Sequence, residues 1–151
     1  MSYLYKQLIS SDTELLKKLL GVFAEVFAEP ETYQGAVPRD AYLQELLKRP
    51  HFIALVALDG EAVIGGLAAY VLEKFEQERN EIYIYDLAVL APHRRKGIAT
   101  ALIHTLQVMA KEKKAYVIFV QADPGDTPAI RLYESLGTKE DVYHFDILPT
   151  T

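Results

Sequence analysis

Residues Ile82–Leu90 read Ile-Tyr-Ile-Tyr-Asp-Leu-Ala-Val-Leu, apolar at odd and even positions alike except at Asp86. A strand with that pattern needs cover on both faces, so it belongs inside a sheet that carries helices on each side. Behind it come Arg94-Arg95-Lys96-Gly97-Ile98-Ala99-Thr100, then Leu102, Leu106 and Met109 at helical spacing. The order is strand, basic glycine loop, helix. A helix N-terminus offers unpaired N–H groups and a partial positive charge, so it can hold a phosphate. Gly97 lets backbone approach such a group, and Ala99 keeps the side chain small. The three cations stand out in a chain with 16 Lys+Arg against 21 Asp+Glu, a net charge of −5. The residues alone leave two readings open, a phosphate cradle or a solvated basic turn.

The rest of the chain fits around this unit. Residues 3–9 alternate weakly and suggest a first strand. Ser11 and Asp12 offer a helix N-cap, with Glu14 in a capping-box position relative to Ser11. Leu15, Leu16, Leu19, Leu20, Phe23 and Phe27 follow at helical spacing, and Pro30 is expected to end that helix. Residues 31–38 read as a loop, and 39–48 as a second short helix stopped by Pro50. Phe52–Leu58 and Ala62–Leu72 read as a hairpin turned at Asp59-Gly60. Residues 75–80 are loop-like and Tyr116–Ala122 is β-rich. Asp126-Thr127-Pro128 suggests a capped helix with Pro in its first turn, running to Gly137, and 142–148 suggests a last strand. With no repeat, linker or low-complexity tract, the expectation is one domain over residues 1–151, a mixed α/β sheet with helices on both faces.

Composition removes whole classes of function. With no cysteine, disulfides, zinc ribbons, iron–sulfur clusters and a cysteine nucleophile are excluded. An acidic chain is a poor generic binder of nucleic acid or anionic membrane, and it tolerates a cationic partner. Ala62–Leu72 is the longest apolar stretch and falls short of the roughly 20 residues of a spanning helix. Met1-Ser-Tyr-Leu-Tyr-Lys-Gln lacks a basic start followed by an apolar run, so the cytoplasm is expected. The four histidines, 51, 93, 104 and 144, show no metal-ligand spacing, and no metal is expected.

Arg94-Arg95-Lys96-Gly97-Ile98-Ala99 resembles the pyrophosphate loop of the GNAT superfamily of N-acetyltransferases, Gln/Arg-x-x-Gly-x-Gly/Ala. Ala129-Ile-Arg-Leu132-Tyr133-Glu-Ser-Leu136-Gly137 resembles that family's C-terminal Ala-x-x-Leu-Tyr-x-x-x-Gly helix. Asp126 stands where the family usually has Asn. The two motifs and their order cover roughly the C-terminal two thirds of the chain. Lys74-Phe-Glu-Gln77, Glu81–Val89, Tyr116–Asp123 and His144-Phe-Asp146 look like the type-I aminoglycoside 3-N-acetyltransferases, the gentamicin-modifying members. The resemblance extends over most of the chain and is weakest before about residue 50.

The resemblance implies a GNAT fold, a single mixed, mostly antiparallel sheet with a V-shaped splay, and acetyl-CoA as cofactor. It implies acetylation of the 3-amino group of the deoxystreptamine ring, hence antibiotic resistance. It places the cofactor on Arg94 through Thr100, with Asp126 nearby and the pantetheine arm along the backbone of Leu87, Ala88 and Val89. A backbone N–H there would stabilise the acetyl oxygen as it becomes negative. A homodimer is expected because family members commonly pair through exposed sheet or helix faces.

An ammonium cannot attack a thioester until it loses a proton. Asp86, the odd carboxylate in an apolar strand, is costly there unless paired or functional. It is read as binder of the substrate amine and as general base, directly or through water; a structural Asp bonded to backbone is the alternative. Tyr133 is read, through the resemblance, as the general acid. A phenol pKa near 10 and a thiol pKa near 8.5 lie close enough for proton donation to the leaving thiolate. Glu81, Asp123, Asp126, Asp146 and His144 sit near elements that can line a cleft for a polycation, with Tyr33 and its loop as the other wall. Scattered surface charge in an acidic protein is the alternative for each of these carboxylates, and packing is the alternative for His144. Without cysteine or a Gly-x-Ser-x-Gly elbow, direct transfer in a ternary complex is expected. Two other readings stay open: transfer to another amine (a polyamine, a protein lysine or N-terminus), and a non-catalytic acyl-CoA-binding module.

Overall fold

In the computed structural model, which describes residues 2–150, the apolar runs form one five-stranded sheet. Its strands are β1 (Leu4–Gln7), β2 (Phe52–Asp59), β3 (Ala62–Glu73), β4 (Asn80–Val89) and β5 (Ala115–Val120), in that spatial order. β1 to β4 pair antiparallel and β5 joins β4 in parallel. The helices are α1 (Thr13–Phe27), α2 (Pro30–Gln34), α3 (Asp40–Lys48), α4 (Ile98–Glu112) and α5 (Thr127–Leu136). The expected open mixed sheet with flanking helices is present. Among the described residues no helix is long and apolar enough to cross a membrane.

The residues fall into two compact units, Met1–Gln121 and Ala122–Thr151. In the first, strand parity sorts the core into two layers. Phe52, Ala54, Val56 and Leu58 of β2 pack with Leu16, Leu19 and Phe23 of α1 and Leu43 and Leu47 of α3. Ile53 and Leu55 of β2, Leu67 and Ala69 of β3 and Ile82 and Ile84 of β4 are buried on the opposite side, as are Leu102 and Leu106 of α4. Gly66 lets α1 reach the sheet: a Cβ there would lie 2.6 Å from Leu19 Cδ1 and clash with the Leu55 carbonyl oxygen.

Several local expectations are corrected. The capping box does not form: α1 begins at Thr13, so Asp12 rather than Ser11 is the N-cap residue and Glu14 falls one position too early, while the Asp12 carboxylate turns back to accept the Ile9 N–H at 2.8 Å and to pair with Lys6 at 3.3 Å. That leaves α1 without a side-chain cap, and Glu14 pairs instead with Lys17. Pro30 does not terminate α1. The helix ends at Ala28 in a left-handed conformation (φ 53°), and Pro30 opens α2, which runs to Gln34 into the stretch 31–38 read as a loop. Pro costs nothing in a first turn, where no N–H partner exists. The hairpin turn is Gly60-Glu61, one residue later than expected, with positive φ at Gly60 alone. That is the requirement of a type II′ turn.

In the second unit Asp126 caps α5, its carboxylate accepting the Ala129 N–H at 3.3 Å, and Gly137 follows the last helical residue. Residues 142–148 are not a strand: they have no ladder partner, and Val142, Tyr143, Phe145, Ile147 and Leu148 are exposed. Apolar content suggests a strand, but only a neighbouring strand supplies its backbone hydrogen bonds.

Candidate active site

The chemistry of β4 depends on two interruptions of regular pairing. The first is a bulge. Ile84 stands opposite Ala69, whereas Asp86 stands opposite Ala68, so Tyr85 is one residue too many in the ladder. Ala69 lies on the α4 side and Ala68 on the α1 side. The extra residue therefore turns Asp86 out of the α4 core and onto the face of α1 and α2. Tyr83, Tyr85 and Ala88 lie on that same face; Tyr85 meets Tyr70 and Tyr83 edge-on, with ring centroids 5.9 and 6.0 Å apart.

The second interruption is the departure of β5. Its parallel ladder with β4 ends at Ile84↔Val120, while β4 continues to Val89. On the other edge the Leu90 N–H donates to the Ile64 carbonyl at 2.9 Å. Antiparallel pairs alternate between bonded and unbonded, so Ala88 with Gly66 is the next bonded pair. Leu87 and Val89 then direct their backbone groups to the edge that β5 has left. The Val89 carbonyl accepts from Arg94 Nε at 3.1 Å, which ties the basic loop to the end of β4.

That loop suits an anion. Arg95 (φ 61°) and Gly97 (φ 75°) both take left-handed conformations, and nothing lies within 4 Å of a Cβ built at Gly97. Ile98 is buried and anchors α4, Ala99 and Thr100 are half-buried, and Arg94, Arg95 and Lys96 are exposed. Gly97 as N-cap has no side chain to cap the helix, so its first N–H groups are presented outward. A pyrophosphate with an adenosyl and a pantetheine arm fits this arrangement: cations and helix N–H groups for the phosphates, an open strand edge for the amide arm.

Asp86 is half-buried and accepts a hydrogen bond from the Tyr33 hydroxyl, Oη to Oδ2 3.0 Å. Burial pushes its pKa up to about 6; the Tyr33 bond pulls the other way, and the Glu29 charge adds to the rise. Tyr33 is pushed far above an ordinary phenol, by burial first and then by Asp86. Asp86 is thus paired with a side chain and placed by a bulge, not bonded only to backbone.

The remaining expectations separate. Glu81 pairs with Lys74 at 2.7 Å and accepts the Tyr116 hydroxyl at 2.8 Å, and these bonds hold its pKa below the usual range. Its carboxylate thus ties the start of β4 to β5 and to the residue that follows β3. In the second unit one carboxylate oxygen of Asp126 caps α5, accepting the Ala129 N–H. Asp123 is exposed, and His144 Nε2 meets Asp146 Oδ1 at 2.8 Å in an exposed pair. Tyr133 is half-buried on α5; burial and the nearby Asp126 charge push its phenol up to about 12. It holds its proton throughout the physiological range and is a weaker acid than its ordinary value suggests.

Sequence reasoning missed Glu29, Tyr70 and the bulge residue Tyr85. The signal for the tyrosines was present as Tyr83 and Tyr85 at alternate positions of one strand, which reads as ordinary half-buried β pattern.

The model of the acetyltransferase (GNAT) family matches residues 16–138. An aminoglycoside acetyltransferase, HMB0005, from an uncultured soil metagenomic sample is 53% identical, with TM-score 0.97 over 99% of this chain and 100% of that one. A second, meta-AAC0020, also from a soil metagenome and solved in complex with sisomicin, is 33% identical, with TM-score 0.90 over 98% of this chain and 97% of that one. The N-terminal acetyltransferase A complex catalytic subunit NAA10 of Arabidopsis thaliana is 34% identical over 114 residues, 73% of this chain. The chain spans only 55% of that relative's length.

Proposed function

This chain belongs to the acetyltransferase (GNAT) family, and on that premise we propose that it acetylates an amino group of an aminoglycoside, specifically the 3-amine of the deoxystreptamine ring. Acetyl-CoA, the acyl donor of this family, supplies an activated acetyl thioester and a thiol leaving group. The observation that carries the reading is Asp86: a half-buried carboxylate with a pKa near 6, set by a bulge beside the open edge of β4.

Each residue then has a task. Arg94 to Thr100 hold the pyrophosphate at the α4 N-terminus, and Leu87 and Val89 offer backbone groups to the pantetheine amides. The Leu87 N–H polarises the acetyl oxygen as negative charge grows on it. Asp86, ionised near neutral pH, binds the substrate ammonium and removes its proton, directly or through water. Tyr133 Oη returns a proton to the departing sulfur. A cationic sugar suits an acidic protein, and the aminoglycoside acceptor is favoured by the 53% identity to HMB0005 along its whole length. The similarity to NAA10 supports a second reading, a protein N-terminus as acceptor, over a smaller share of the relative.

The experiment is CoA-thiol release from acetyl-CoA with gentamicin, spermidine or a lysine-rich peptide in parallel. Release with gentamicin, with one acetyl located on the 3-amine by NMR, is expected. Release only with spermidine or peptide keeps the chemistry and discards the aminoglycoside. Measurable CoA binding with no release from any acceptor supports the acyl-CoA-binding module.

A further inference from the structure

We propose that Tyr33 is a positioning residue for Asp86, its hydroxyl fixing one carboxylate oxygen so that the other stays directed at the acceptor amine. The proposal rests on the reading of Asp86 as base. The corner that delivers Tyr33 is built for the purpose. Ala28, in its left-handed conformation, sends its N–H back to Ala24 and Glu25 and so closes α1. Pro30 starts α2 one turn before Tyr33, and the Gly35 N–H returns to the Glu31 carbonyl at 3.1 Å. A Cβ at Gly35 would strike that same carbonyl, so the tight end of α2 needs glycine. The Tyr33 ring packs at a tilt against both Phe23 and Phe27, at centroid distances of 5.7 and 5.8 Å, and those two rings stack on each other.

Packing against α1 thus fixes the ring, while the hydroxyl alone reaches Asp86. Within the first unit the other ionisable groups facing Asp86 are Glu29 before α2, Tyr70 on β3 and Tyr83 and Tyr85 on β4. None of them is positively charged. The Tyr33 hydroxyl is therefore the group that stabilises the carboxylate form and sets its direction. The sequence expectation of Tyr33 as a cleft wall becomes a different role: it acts on the acceptor through Asp86.

Tyr33→Phe keeps the ring and removes the bond. We expect kcat to fall about tenfold, the worth of a hydrogen bond to a charged group. The acid limb of the pH–rate profile should move upward, since the ionised carboxylate loses its donor, while KM for acetyl-CoA and the thermal midpoint stay near wild type. Tyr33→Phe combined with Asp86→Asn should lose no more than Asp86→Asn alone. An unchanged acid limb and kcat in Tyr33→Phe, with Asp86→Asn inactive, overturns the positioning role and leaves Asp86 as base. Wild-type activity in Asp86→Asn overturns the base reading and this proposal with it. A large loss of thermal stability in Tyr33→Phe, with the pH profile unmoved, makes the hydroxyl structural.

Discussion

Ile84 and Asp86 are two residues apart on one strand, yet their side chains emerge on opposite faces of the sheet. Regular alternation would send Asp86 after Ile82 and Ile84 into the layer beneath α4, among Leu102 and Leu106. An unpaired carboxylate there would cost several kcal/mol. Tyr85, as the bulge residue, turns it instead toward Tyr33.

If Asp86 is the base, Asp86→Asn should lower kcat/KM by about 10²–10⁴ above about pH 6, where the wild-type carboxylate is ionised, and by less below it; that is the usual weight of general base catalysis. In the wild type activity should fall as pH drops through about 6, where the carboxylate takes up its proton. The pH–rate profiles of both forms decide it; an acid limb that persists unchanged in the variant belongs to another group.

The same residue should cost stability. Its folded pKa of about 6 exceeds the ordinary 3.8, so the folded protein binds this proton more tightly than the unfolded chain. Stability from this group is greatest below the ordinary value and falls as pH rises through the folded one. Asp86→Asn should therefore be more stable than wild type at neutral pH. After discounting for partial exposure, the gain is about 1–2 kcal/mol. Thermal melts should show the gain shrinking toward about pH 4, where both forms are neutral. A constant difference across pH would assign the effect to packing.

Tyr133→Phe should reduce turnover by about 10²-fold, as expected for loss of a general acid, with little change in CoA affinity. Calorimetric titration with CoA, run beside steady-state kinetics, separates the two. Undiminished turnover would leave water as the proton donor.

Gly97→Ala meets no neighbour, but φ is 75° and a Cβ disfavours that conformation by roughly 1–2 kcal/mol. We expect KM for acetyl-CoA to rise several-fold and KM for the acceptor to stay unchanged. Equal changes in both would mean that the loop does not act on the cofactor alone.

Gly66→Ala is a fold test. The added methyl would press on Leu19 of α1 and on the Leu55 carbonyl, and overpacking of this kind costs about 1–3 kcal/mol. Denaturant unfolding should show the loss; wild-type stability would mean that α1 can lift from the sheet without penalty.

The sequence by itself determined the elements whose period or chemistry is local. The apolar runs of β2, β3 and β4, the heptad-like face of α1, the basic loop before α4 and the Asp126-Pro128 start of α5 are all legible there, because helical and strand periods and first-turn chemistry act over a few residues. Asp86 and Tyr33 were both legible as candidates. Their pairing was not: they lie 53 positions apart, and the bond needs a bulge on one strand and a left-handed corner on another element. Glu81 shows the converse. As a strand-start carboxylate it suits a cationic substrate, but β5 brings Tyr116 to it and the β3 end brings Lys74. Residues 142–148 have strand-like composition and no strand, since ladder bonds come from a neighbour and not from the segment. Local residue choice settles which elements can exist; only tertiary packing decides which polar side chains are already spent and which are left for chemistry.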